Sequence, residues 1–281
     1  MAISSTQTFL SRVFILFLFF QSQTFTVQPR SLKPHGRLAF ARSYLKAYGY
    51  LSDDHHQHDD GNDVMESGIK KFQEFYSLNV SGKLDHETLE AMDQPRCGVP
   101  DEMLSKKSFL NNSKFSFFSG KPTWPSSKRN LSYAFKSGVD VVPLDVLRSV
   151  FLIVFAQWSG ATKFTFNEVV IEKTDLTIGL YRGAHGDGKP FDGPGHILAH
   201  AFAPTDGRLH YDADEKWSDQ NPTPAGQFDL VWIGLHEVGH LLGLQHSKDP
   251  NAVMYAFMQP GKSKRALGSD DIAGIKALYP N

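Results

Sequence analysis

The sequence predicts an α+β fold, with a small helical section ahead of a domain that mixes strands and helices. Three observations predict it. Apolar residues recur at helical spacing between about residues 30 and 92. Short alternating runs follow from residue 130 to 202. Two longer stretches of helical period, Leu144–Trp158 and Phe228–Leu242, give a sheet something to pack on. The 281 residues suggest about two domains. A hydrophobic content of 41% supports a core without staples, and a net charge of −1 carries no nucleic-acid signature.

Taken in order, the chain opens on Arg12 and the apolar run Val13–Phe20, followed by Gln21-Ser22-Gln23. The run is shorter than the about 20 residues that span a bilayer. It reads as a secretory signal peptide over residues 1–24, cut between Gln21 and Thr26. Residues 25–110 form the helical section. Ala39–Tyr50 carries Phe40, Tyr44, Leu45 and Tyr48; Ile69, Phe72 and Phe75 mark a second helix and Leu84–Met92 a third. Between the first two lies Ser52–Asp63, whose His55, His56 and His58 read as a solvated loop rather than a metal site. Residues 111–128 have no period and read as a linker.

From residue 129 to 281 the expected elements are strands at Asn130–Phe135, Lys163–Phe166, Asp175–Tyr181 and Ile197–Phe202, with helices at Leu144–Trp158, Phe228–Leu242 and Ser269–Tyr279. Ser269 is the expected N-cap of the last. Asn79, Asn111 and Asn130 begin acceptor tripeptides for glycosylation on a secretory route. The chain ends at Leu278-Tyr279-Pro280-Asn281, so no transmembrane or GPI anchor is expected.

The chemistry concentrates in His236–His246, which reads H-E-V-G-H-L-L-G-L-Q-H. His236 and His240, four apart on a helix, share a face and can grip one metal ion. Gly243 lets the chain leave the helix at positive φ and brings His246 round as a third ligand. Three protein ligands leave one tetrahedral position open, the arrangement of a catalytic rather than a structural zinc. Glu237 stands beside the first ligand, where it can take a proton from a water and later pass it to a leaving amine. Met254, in Ala252-Val-Met-Tyr255, would support the histidines from beneath by packing.

With Val253-Met254-Tyr255, this motif resembles the metzincin pattern, and Ser247 points to the matrixin branch, the matrix metalloproteinases. Nearly the whole chain after the leader shares the resemblance, and it looks like the short plant members without a hemopexin-like domain. It implies a zinc endopeptidase with a twisted five-stranded sheet and three helices. A chain with a degraded motif would instead be read as a binding module or scaffold; here every ligand and Glu237 is intact.

The only cysteine, Cys97, stands in Pro95-Arg96-Cys97-Gly98-Val99-Pro100-Asp101. A thiolate can occupy the open zinc position and keep the site silent. The run matches the matrixin cysteine switch, which implies that Arg96 and Asp101 brace the peptide in the cleft. Residues 25–110 are then a propeptide, with a peptidoglycan-binding-like helical part. Release would need an activating protease to cut within 111–128.

His185, Asp187, His200 and His210 make a closed tetrahedral set suited to a structural zinc; the same positions hold one in matrixins. Asp192, Gly193, Gly195, Ile197, Asp212 and Glu215 would, by the same match, bind one calcium ion through hard oxygens. Read without the resemblance, they are only an acidic glycine-rich loop. The stretch from His200 to His210 lacks the family's glycine-rich turn, and this counts against a second calcium at Asp175. Ala213 weakens a third site, and Ala256 replaces a usual proline. Trp232, with Tyr255, is expected to line the S1′ pocket and to shorten it. The expected substrates are extracellular proteins or peptides, lying extended along Ile197–Phe202.

Overall fold

Aromatic side chains at helical spacing gather three helices around one small core. The computed structural model describes residues 34–51, 61–101, 113–138, 140–170 and 173–280. The leader at 1–24, the histidines His55, His56 and His58, and Asn111 lie outside them. The helices are α1 (Pro34–Ala47), α2 (Gly61–Phe75) and α3 (His86–Met92). Asp85 caps α3 by accepting from the Thr88 N–H. Tyr44, Leu45 and Tyr48 are buried against Ile69, Phe72 and Phe75. This core does not close on itself. Ala256 and Phe257, from far along the chain, complete it, and the Tyr76 ring centroid stands 4.5 Å from that of Phe257.

The strands that follow are β1 (Arg96–Cys97), β2 (Ser116–Phe117), β3 (Asn130–Phe135), β4 (Thr165–Glu168), β5 (Leu176–Tyr181), β6 (Ile197–Ala201), β7 (Arg208–Asp212), β8 (Trp217–Ser218), β9 (Phe228–Asp229) and β10 (Leu244–Gln245). The main sheet runs β4-β3-β5-β7-β6-β1, and only the β6–β7 pair is antiparallel. Five of these strands follow residue 129. The sixth, β1, comes from the segment that carries the lone cysteine and sits on the β6 edge.

The helices α4 (Leu144–Ala161), α5 (Leu230–Leu241) and α6 (Ser269–Leu278) complete the α+β domain. Apolar enough to pass for a membrane span, α4 is a core helix: Leu147, Val150, Phe151, Val154, Phe155 and Trp158 form one buried face. Trp158 donates from Nε1 to the Leu235 carbonyl at 3.0 Å and so ties α4 to α5.

Several sequence expectations change. β4 begins two residues later than expected. β7 was not anticipated, although Arg208–Asp212 alternates, because His210 and Asp212 draw attention as ligands. α5 starts at Leu230: Asp229 caps it by accepting from the Trp232 N–H, and Phe228–Asp229 pairs with β8. Gly268, not Ser269, is the N-cap of α6, with Asp271 accepting the Gly268 N–H at 2.7 Å.

The stretch read as a linker is docked from residue 113 onward. β2 pairs antiparallel with β10, Phe117 and Trp124 are buried, and Trp124 Nε1 donates to the Leu241 carbonyl at 2.8 Å. Two anchors seven residues apart leave no periodic trace in sequence.

Candidate active site

A single helix and the turn after it position three imidazoles. His236 and His240 project from one face of α5, and Gly243 turns the chain at φ 101° so that His246 meets them. The Nε2 atoms of His236 and His240 stand 3.1 Å apart, and those of His240 and His246 3.3 Å. Cys97 Sγ lies 3.5 Å from His240 Nε2, and all four ligand atoms lie within 4.8 Å of one another. Zinc bonds of about 2.05 Å to nitrogen and about 2.3 Å to sulfur put tetrahedral neighbours about 3.3 Å (N···N) and about 3.6 Å (S···N) apart. The donor set therefore fits zinc in both type and spacing.

The electrostatics of these groups favour the ligand form. All three imidazoles are fully buried, and burial lowers each pKa, so each is neutral. Burial, with the Glu237 carboxylate nearby, raises the Cys97 thiol, so a thiolate there calls for a cation. Glu237 is fully buried, neither carboxylate oxygen has a hydrogen-bond partner, and burial pushes it up to about 8. An orphaned carboxylate beside three converging imidazoles is what a metal-assisted proton transfer requires.

Each histidine is oriented through its other nitrogen. His236 Nδ1 meets the Val253 carbonyl and His240 Nδ1 the Leu244 carbonyl, both at 2.8 Å. His246 Nδ1 meets Asp101 Oδ1 at 2.6 Å. Met254 packs beneath α5 against Gly239, where a β-carbon would collide with its sulfur. Asp271 accepts the Val253 and Met254 N–H groups and fixes that turn.

The segment carrying Cys97 is clamped on both sides. Arg96 N–H donates to the His196 carbonyl (2.6 Å) and Gly98 N–H to that of Ala199 (2.8 Å). On the other side Cys97 N–H donates to the Ala256 carbonyl and Met258 N–H to that of Pro95, both at 3.0 Å. Arg96 and Asp101, both without exposure, form a bidentate pair at 2.8 and 3.0 Å. Burial alone would raise the Asp101 carboxyl, but Arg96 and His246 outweigh it and hold it below the usual range. Tyr50 and Tyr76 hydroxyls also donate to Asp101 at 2.8 Å, and the Arg96 guanidinium lies 3.6 Å from the Tyr48 ring centroid. Gln245 reaches the Pro100 carbonyl at 3.0 Å. Sequence reasoning missed Tyr50, Tyr76 and Gln245; each tyrosine carries a polar tip that must find a partner when buried.

His185, Asp187, His200 and His210 come together as a second group. Asp187 Oδ2 stands 2.9, 2.7 and 2.9 Å from the nearest nitrogens of the three histidines. Burial lowers His200 to about 4 and lowers His210 as well. Among the described residues these two groups are the ones whose ligand atoms converge so tightly.

Asp192, Asp212 and Glu215 are looser. Asp192 accepts from the Ile197 N–H and Glu215 from the Gly195 N–H, while Asp212 Oδ2 is buried without a partner. Burial, then their mutual repulsion, raises Asp212 and takes Glu215 to about 7; burial raises Asp192. Asp175 is already satisfied by Lys128 at 2.7 Å and by Ser132, which leaves it little to offer a cation. Ala213 is buried and contributes only backbone here.

Trp232, one turn before His236, is buried and lines a cavity of about 460 Å³ with Gln94, Tyr255, Phe257, Gln259 and Lys264. The Lys264 ammonium lies 4.9 Å from the Trp232 ring centroid.

Residues 123–280 match the family described as matrixin, and residues 35–92 match the family described as "Putative peptidoglycan binding domain". The chain is 39% identical over 257 residues to Metalloendoproteinase 5-MMP of Arabidopsis thaliana, covering 86% of this chain and 71% of that protein. It is 40% identical over 250 residues to Metalloendoproteinase 1 of Glycine max, covering 86% and 81%. Human matrilysin is 36% identical over 243 residues, covering 85% and 84%.

Proposed function

The chain belongs to the matrixin family and is a metalloendopeptidase of the matrix metalloproteinase type, and from that premise we propose that it is a secreted zymogen silenced by its own Cys97. The convergence of Cys97 Sγ on the three histidine nitrogens, beside a partnerless Glu237, carries this reading.

His236, His240 and His246 would hold the catalytic zinc, with Cys97 as fourth ligand in the latent form. Zinc, when bound, supplies Lewis acidity towards the scissile carbonyl and lowers the pKa of water. Glu237 takes the proton of the attacking water and returns it to the leaving amine. Val253 and Leu244 carbonyls keep the first two rings aimed. A substrate would take the place of β1, pairing with the β6 edge by main-chain hydrogen bonds, and the pairing of β1 supports that. The side chain beyond the scissile bond would enter the cavity of Trp232 and Tyr255. His185, Asp187, His200 and His210 would hold a structural zinc. Asp192, Gly193, Gly195, Ile197, Asp212 and Glu215 would hold calcium. The leader at 1–24 and the plant relatives support an extracellular setting, where protein or peptide substrates and an activating protease would be met. The activating cut would fall ahead of Ser116, which keeps β2 on β10.

Casein zymography with and without a chelator tests the activity. Glu237→Ala should be folded and inactive, and Cys97→Ser active without activation. Substantial cleavage by pure Glu237→Ala would overturn the assigned base.

A further inference from the structure

Two of the three orienting acceptors behind the histidines belong to the catalytic domain, and one does not. Val253 and Leu244 serve His236 and His240 with carbonyls from the same stretch of chain. His246 is served by Asp101, 145 residues upstream, at 2.6 Å. Asp101 is fully buried, and Arg96, Tyr50 and Tyr76 all donate to it. It therefore meets the imidazole as an anion. A carboxylate accepting the Nδ1 proton fixes ring and tautomer and makes Nε2 a better donor than a carbonyl would.

We propose that Asp101 is a positioning residue for His246, so that the propeptide completes the outer shell of the catalytic metal site as well as blocking its open position. The latent protein is then the form built to acquire zinc. Activation removes Cys97 and also strips His246 of its acceptor. The inference rests on the proposed zinc role of the three histidines.

The test uses the full chain carrying Glu237→Ala to prevent self-cleavage. Its zinc content comes first: failure to hold zinc in this protein sinks the proposed function, and this inference with it, whereas zinc held normally leaves the next comparison to decide the inference alone. Zinc transfer to a chromophoric chelator is then measured for Cys97→Ala and for Cys97→Ala with Asp101→Asn, so that the sulfur ligand contributes to neither. The expected result is roughly 10–100-fold weaker retention of one zinc when Asp101 is replaced. Protection from trypsin reports whether the segment stays docked. A change below about twofold with the segment docked overturns the proposal. A second measurement needs no change at Asp101 or Cys97. In zinc-loaded protein with ¹⁵N-labelled histidine, His246 should show a low-field Nδ1 proton beyond those of His236 and His240. Activating cleavage should move that resonance and spare the other two. A His246 proton that is absent, or that cleavage leaves in place, refutes the assignment even if Asp101→Asn undocks.

Discussion

Replacing Arg96 by alanine should release the segment that carries Cys97 far more than the loss of one surface charge would. Arg96 has no exposure and donates twice to Asp101, once to the Tyr44 hydroxyl and once to the Cys97 carbonyl. Its removal strands a buried carboxylate. Breaking a buried pair from one side costs about 3–5 kcal/mol. Tyr50, Tyr76 and His246 still donate to Asp101, so the lower end, about 3 kcal/mol, applies. At 1.4 kcal/mol per tenfold, the undocked fraction should rise roughly 100-fold. The assay is the rate at which a small alkylating reagent labels Cys97 under native conditions, in a Glu237→Ala background. Arg96→Lys, which keeps charge but not the fork, should fall between wild type and alanine. A labelling rate that rises less than about tenfold in Arg96→Ala would refute the claim that this pair holds the segment down.

The acidic cluster makes a pH-dependent prediction. Glu215 is raised to about 7 from an ordinary 4.5, so it favours the folded state when protonated. That contribution is present below about pH 4.5 and is lost as pH rises through about 7. Calcium should therefore raise Tm in zinc-containing buffer more at about pH 8 than at about pH 5.5; equal gains would separate Glu215 from the ion. Gly243→Ala should destabilise by about 1–3 kcal/mol in denaturant titrations, because φ is 101° and the new β-carbon would stand 2.5 Å from the Pro122 carbonyl oxygen. Trp232→Ala should widen the accepted range of P1′ side chains on a peptide library, and an unchanged profile would remove Trp232 from the pocket's control.

Spacing along the chain exposed what is local. His236, His240, Gly243 and His246 sit in one helix and one turn, so their separations already encode a shared face and a bend. The Asn130–Phe135 strand and the helix from Leu144 were legible for the same reason, since period follows burial on one side. What stayed hidden is non-local. Nothing near Arg96 says that it will pair with β6, and nothing near Phe117 or Trp124 says that each will be buried against the end of α5 and β10. Tyr50 and Tyr76 were not singled out, because their hydroxyls acquire meaning only once Asp101, 51 and 25 residues away, is brought beneath them.

The same non-local contacts explain why a seven-residue motif would not by itself be enough for the silencing proposed above. The ladder of β1 is two residues long and is bounded by Pro95 and Pro100, neither of which has an N–H to extend it. Main-chain hydrogen bonds from Arg96, Cys97 and Gly98 and to the Pro95 carbonyl help hold it, worth about 0.5–1.5 kcal/mol each in net terms. Against this stands the cost of keeping an arginine and an aspartate dry. That cost is met only because Tyr44 on α1, Tyr50 in the turn after it and Tyr76 just past α2 supply hydroxyls and exclude water, while Tyr48 stacks on the guanidinium. Remove those rings and the ion pair faces solvent, where an exposed pair contributes about 0–1 kcal/mol. On the proposed reading, latency would therefore reside in the helical section as much as in the sulfur: it turns a short, weakly laddered peptide into a buried plug.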